Sequence, residues 1–91
     1  MKGSEKKILR SKSHHLKPVI NIGKNGITEA QIKKIDDTIK VKELIKIKIL
    51  KNAPLDSREK LLNAVNELGC ELIQEKGKIF TIFREKPTDE N

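Results

Sequence analysis

From Leu44 to Leu50 the chain alternates, with Ile45, Ile47 and Ile49 on one side and Lys46 and Lys48 on the other. A two-residue period is the signature of a strand, and putting isoleucines on one face and lysines on the other leaves one side of the sheet wet. A doubly wound architecture buries both faces of its central strands, so the alternation argues against it. It favours a two-layer α/β sandwich with helices mainly on one side.

The remaining elements follow from local punctuation. Ser4, Glu5, Ile8, Leu9 and Lys12 describe a capped, basic first helix reaching about His14 and ended by the approach to Pro18. Residues 19–22 are nearly all apolar and are expected to form an interior strand that stops at Gly23. Thr28 with Gln31 forms a capping-box pattern, and Ile32, Ile35 and Ile39 supply the buried stripe of a helix to about Val41. Pro54, Asp56 and Glu59 open a third helix with Leu61, Leu62, Val65 and Leu68 as its stripe and Gly69 as its stop. Cys70 to Glu75 and Lys78 to Arg84 are two strands joined at a tight Lys76-Gly77 hairpin, and the tail 87–91 is polar. The last strand is apolar on both faces, through Ile79, Phe80, Ile82 and Phe83, and the first helix is the element left to cover its second side. The order is therefore α-β-α-β-α-β-β with a four-stranded mixed sheet, in one domain with its ordered core at about 4–86.

Between the first strand and the second helix lies Gly23-Lys24-Asn25-Gly26. Glycines accept positive φ and let another backbone come close, the amides at a helix start carry partial positive charge, and Lys24 adds a full one. The combination suits phosphate. Asn25-Gly26 alone is a common hairpin turn, but here it leads into a capped helix. A nucleotide P-loop is excluded because Ile27 follows the second glycine, and no dinucleotide fingerprint is present. Gly-x-x-Gly turns grip single-stranded nucleic acid in KH domains, where the turn joins two helices, so the chemistry carries over and the topology does not.

Charge points the same way. The chain carries +7, and residues 1–26 hold seven basic side chains against Glu5 alone, a net of +6. Residues 27–91 hold thirteen basic and twelve acidic side chains, an ordinary solubilising mixture. A positive segment around a phosphate-suited turn is expected to focus its field there and draw polyanions, nucleic acid first. No apolar run approaches transmembrane length and Met1 to Lys12 lacks the apolar centre of a signal peptide, so the expectation is a cytoplasmic protein without membrane attachment.

Other chemistries find little. Cys70 is the only cysteine and has no base or metal partner in its neighbourhood. His14-His15 point in different directions on a helix, which favours a helix end or an RNA contact over a metal site. No Ser, His and acid set and no paired carboxylates assemble, so neither catalysis, cofactor, metal nor small-molecule substrate is expected. With only Phe80 and Phe83 as aromatic residues, base stacking on a sheet platform of the RRM kind is not expected either. Binding should be carried by backbone electrostatics, with Lys46 and Lys48 as further phosphate contacts if their strand face takes part.

Taken in order, Leu16-Lys17-Pro18-Val19-Ile20, Ile22 to Glu29, Glu43 to Lys48, and Gly77 with Phe83-Arg84 resemble the CRM domain, the family of chloroplast RNA splicing and ribosome maturation proteins with short stand-alone YhbY-like members. The resemblance spans about Leu9 to Arg84. It implies a fold similar to the C-terminal domain of translation initiation factor 3 and an RNA surface formed by the loop Gly23, Lys24, Asn25 and Gly26 with Arg10, His14 and Lys17 before it. Lys12 joins them by position on the basic helix. The resemblance also implies a partner in precursors of the large ribosomal subunit, and the chain is expected to act as a monomer. The alternatives are a module that docks on a ribosomal or other acidic protein, or a general single-stranded nucleic-acid binder.

Overall fold

The computed structural model describes residues 2–86. Its elements are α1 (Gly3–Ser13), β1 (Pro18–Ile22), α2 (Glu29–Lys42), β2 (Leu44–Ile49), α3 (Ser57–Glu67), β3 (Glu71–Lys76) and β4 (Ile79–Phe83). The α-β-α-β-α-β-β order and the four-stranded mixed sheet are those read from the sequence. The polar tail 87–91 lies outside the described residues.

The sheet runs β1-β2-β4-β3, with β1 parallel to β2 and the other two pairings antiparallel. The β2 alternation holds: Ile45, Ile47 and Ile49 are buried while Lys48 is exposed and Lys46 half-buried. On the isoleucine side, Ile35 and Ile39 of α2 and Leu61 and Val65 of α3 close over Ile20, Ile22, Ile45, Ile47, Phe80 and Ile82. Each such side chain contributes about 1.5–3 kcal/mol by leaving water, so this face holds the fold together.

Helix α1 lies across part of the opposite face, in contact with β2 and β3. It explains why β4 is apolar on both sides: Phe80 and Ile82 serve the main core, while Phe83 lines a depression on the other face with Ile8 and Leu9 of α1. Thr81, on that same side, is only 2 % exposed.

Four local readings need correction. Strand β1 is an edge strand, paired with β2 alone among the described strands. Its burial alternates, with Ile20 and Ile22 inward and Val19 44 % exposed, so the apolar run did not signify a strand covered on both faces. Helix α1 begins at Gly3 with Lys2 as an uncapped N-cap, and Ser4 sits within the first turn; Glu5 there faces the positive helix end, and water can satisfy exposed amides without a side-chain cap. Thr28 Oγ1 does accept from the Gln31 amide at 3.2 Å, but Gln31 Oε1 is buried without a partner, so only half of the capping box forms. Finally, Lys76 pairs with Ile79, which makes Gly77 and Lys78 the two hairpin residues; Gly77 takes the positive φ of 61° that a tight turn demands.

Candidate nucleic-acid interface

Parallel pairing of β1 with β2 brings the carboxyl ends of both strands to one edge of the sheet, and antiparallel β4 begins at that same edge. Three connections therefore meet there: 23–28 after β1, 50–56 after β2, and the Gly77–Lys78 turn. The Leu50 amide donates to the Ile22 carbonyl and the Ile49 amide to the Lys78 carbonyl, each at 2.9 Å, which ties the three together. Open α/β sheets bind ligands outside the carboxyl ends of their strands.

Within the first connection, the Gly26 amide donates to the Gly23 carbonyl at 2.9 Å and closes a turn with Lys24 and Asn25 exposed at its tip. The two glycines do different things. Gly26 is buried at a φ of 66°, and a Cβ on it would stand 3.1 Å from Pro54 Cγ and 3.3 Å from Pro54 Cδ. Gly23 has no positive φ, and its nearest neighbour would be Asn52 Oδ1 at 3.9 Å. Gly26 thus shapes the turn with its own N–H already spent, while Gly23, Lys24 and Asn25 present the outer surface.

The basic segment is not gathered at this edge. Lys17 precedes β1 and Lys24 follows it, with about 13 Å of strand between Pro18 and Ile22. Lys12, His14 and Lys17 are exposed and Arg10 is half-buried. His14 lines a shallow depression on the α1 side of the sheet together with Lys46, Gln74, Lys76 and Thr81. The positive residues form a strip over the α1 face and along β1 to the loop edge.

Three lysines of that strip were missed in sequence: Lys51 and Lys78 in the other two connections and Lys76 at the end of β3. They lie in the chain segment whose charges balance, and counting hides them. The available signal was positional, a lysine at or just past the end of a strand on either side of a turn.

Ion pairs concentrate on the α2 and α3 side of the molecule, although Lys34 and Lys42 of α2 enter none among the described residues. Among the described residues, Lys33–Asp37, Lys40–Asp36, Arg58–Glu75, Lys60–Asp56 and Arg84–Asp36 are paired, each with at least one partner on α2 or α3. Lys12, Lys17, Lys24, Lys46, Lys48, Lys51, Lys76 and Lys78 enter none of these pairs. Arg84 belongs to the structural group: it donates to the Leu68 carbonyl at the end of α3 at 2.9 Å and meets Asp36 Oδ1 at 2.8 Å. Arg84, seconded by Lys40, holds the Asp36 carboxyl below its ordinary range, and Arg58 does the same to Glu75.

Burial pushes the Cys70 thiol up, away from the thiolate a nucleophile needs. Among the described residues no three of His, Cys, Asp and Glu converge as a metal-ligand set, and no helix is long and apolar enough to cross a membrane.

Known proteins resemble the chain along nearly its whole length. The Probable RNA-binding protein YqeI of Bacillus subtilis is 34 % identical over 83 residues, covering 91 % of this chain and 86 % of its own. An RNA-binding protein of Haemophilus influenzae is 33 % identical over 87 residues, covering 94 % and 85 %. The solution structure of SAV1595 from Staphylococcus aureus superposes with a TM-score of 0.75 at 38 % identity, covering 99 % of this chain and 94 % of that one. Residues 1–84 match the CRS1 / YhbY (CRM) domain, and the chain belongs to that family.

Proposed function

We propose that this protein binds RNA without catalysing a reaction, holding the sugar-phosphate backbone at the Gly23–Gly26 turn and along the lysine strip. Lys24 pairs with a phosphate, Gly23 allows the backbone to pass close, and Asn25 offers an amide to a phosphate or sugar oxygen. Gly26 keeps the turn in shape. Lys17, Lys12, Arg10 and His14 continue the footprint on the α1 side, and Lys48, Lys51, Lys76 and Lys78 widen it around the carboxyl ends of the strands.

The observation that carries this reading is the segregation of charge. Lys33 and Lys40 of α2 and Arg58 and Lys60 of α3 have carboxylate partners, Lys34 and Lys42 of α2 being the exceptions there, whereas the lysines of the strip have none among the described residues and remain available to a polyanion. The names of the relatives from Bacillus subtilis and Haemophilus influenzae support RNA as that polyanion. Phe80 is 1 % exposed and Phe83 is half-buried beneath α1, so neither ring offers a stacking platform and the backbone supplies most of the affinity. The finer reading is action on ribosomal RNA precursors during large-subunit maturation.

Replacing Lys24 and Lys17 by Ala should flatten the dependence of log affinity on log salt by about one unit per lost phosphate contact. Unchanged slope and affinity would refute the site. Crosslinking in cells followed by sequencing of the attached RNA tests the ribosomal assignment, which fails if pre-ribosomal sequences are not enriched.

A further inference from the structure

A pocket of about 160 Å³ opens between the 50–56 connection and the Gly77–Lys78 turn, next to the glycine loop through Pro54. Ile49 and Phe80, both almost fully buried, form its inner wall, and Ala53, Pro54 and Leu55 form an apolar side. Leu55 is wholly exposed, an apolar lip that buries nothing in the fold. The start of α3 contributes Ser57, whose buried hydroxyl has no partner, and Arg58, which makes two bonds to the Glu75 carboxylate at 2.6 and 2.8 Å. Lys51 and Lys78, both exposed, complete the lining.

These walls discriminate between the parts of a nucleotide. A phosphate inside would face the Glu75 carboxylate, and its charge would be desolvated against leucine and proline. A nucleobase is neutral and flat, with apolar faces for Leu55 and Pro54 and a polar edge for hydrogen bonds. Arg58 spends two of its five donors on Glu75, and its plane and remaining donors suit a base's face or acceptor atoms. Lys51 and Lys78 then stand where the phosphates on either side of that base would lie. The volume falls short of the roughly 300 Å³ at which sites for larger ligands begin, so it suits one ring system.

We propose that this pocket takes a single unstacked base of the RNA whose backbone crosses the glycine loop. The inference rests on the RNA-binding reading and adds that the substrate carries an unpaired nucleotide. A continuous duplex cannot supply one without breaking its stack.

The test uses the full chain, a short single-stranded RNA containing one 2-aminopurine, and an RNA duplex of the same length. Ala53→Phe fills the pocket; Leu55→Ser removes the lip at a position whose exposure keeps the fold indifferent. The unaltered chain should prefer the single strand and change the 2-aminopurine emission on binding. Both variants should lose about tenfold in single-strand affinity, in the range of one lost base contact, with the salt slope and duplex affinity unchanged. Variants that keep the single-strand preference, or that lose equally on strand and duplex, overturn the pocket while leaving the RNA reading intact. An unaltered chain with no salt-dependent affinity for either RNA overturns both.

Discussion

Substituting each glycine of the turn by alanine separates conformation from contact. In Gly26→Ala the new methyl forces an L-residue to a φ of 66°, which costs about 1–2 kcal/mol. It also meets the Pro54 ring at 3.1 and 3.3 Å. The ring cannot swing aside as a flexible side chain would, and the Pro54 carbonyl accepts the Ser57 amide at 3.0 Å at the start of α3, so relief must come from the 50–56 connection. Overpacking of this kind adds about 1 kcal/mol or somewhat more. The sum, about 3 kcal/mol, should lower the melting temperature by about 12 °C or more in a domain of this size. Gly23→Ala has neither handicap, and by restricting the unfolded chain it should be neutral or stabilising by up to about 1 kcal/mol. Urea and thermal unfolding followed by circular dichroism measure both. RNA affinity, measured where all chains are folded, should fall for Gly23→Ala because the methyl stands where the RNA backbone passes. An unfolding midpoint for Gly26→Ala equal to that of the unaltered chain, or an equal loss from Gly23→Ala, would refute the division of labour between the two residues.

Lys51→Ala and Lys78→Ala should each reduce the salt slope of RNA binding about as much as Lys24→Ala, by about one unit, while Lys33→Ala, on α2 and paired with Asp37, should leave it unchanged. Arg84→Ala should destabilise the fold by about 2 kcal/mol in urea unfolding, since charged hydrogen bonds to Leu68 and Asp36 are lost, and should not alter the salt slope. Because the folded Asp36 carboxyl titrates below its ordinary 3.8, its contribution is complete above that value and is lost as the pH falls through the depressed folded one. Asp36→Asn should therefore make stability less steeply dependent on pH below about 5, checked by urea midpoints across a pH series; an unchanged or steeper dependence would contradict the pairing.

The parts of this fold legible in sequence are those settled within a few residues. The Ile–Lys period of β2 needs only the geometry of a strand, and the stripes Ile35–Ile39 and Leu61–Val65 need only that of a helix. Cap and turn positions shift by a residue or two for local reasons, but the larger misreadings depend on distant chain. Whether Val19 is covered depends on which strand and helix lie beside β1, and no property of residues 19–22 encodes that. Gly23 and Gly26 look equivalent in a Gly-x-x-Gly turn, and it is the φ of 66° at Gly26 together with Pro54, brought over by the β2–α3 connection, that makes alanine costly at one and not at the other. The same applies to the candidate interface. Lys24 was visible because its own neighbours form a phosphate-suited turn, whereas Lys51, Lys76 and Lys78 come together only through the β1-β2-β4-β3 strand order. Net charge along a segment is consequently a poor measure of what a polyanion meets. Arg84 and Lys24 count equally in the sum, yet one is held by a carbonyl and a carboxylate and the other stands at the tip of an exposed turn. What decides between a structural and a binding cation is the acceptors that the fold has already placed around it.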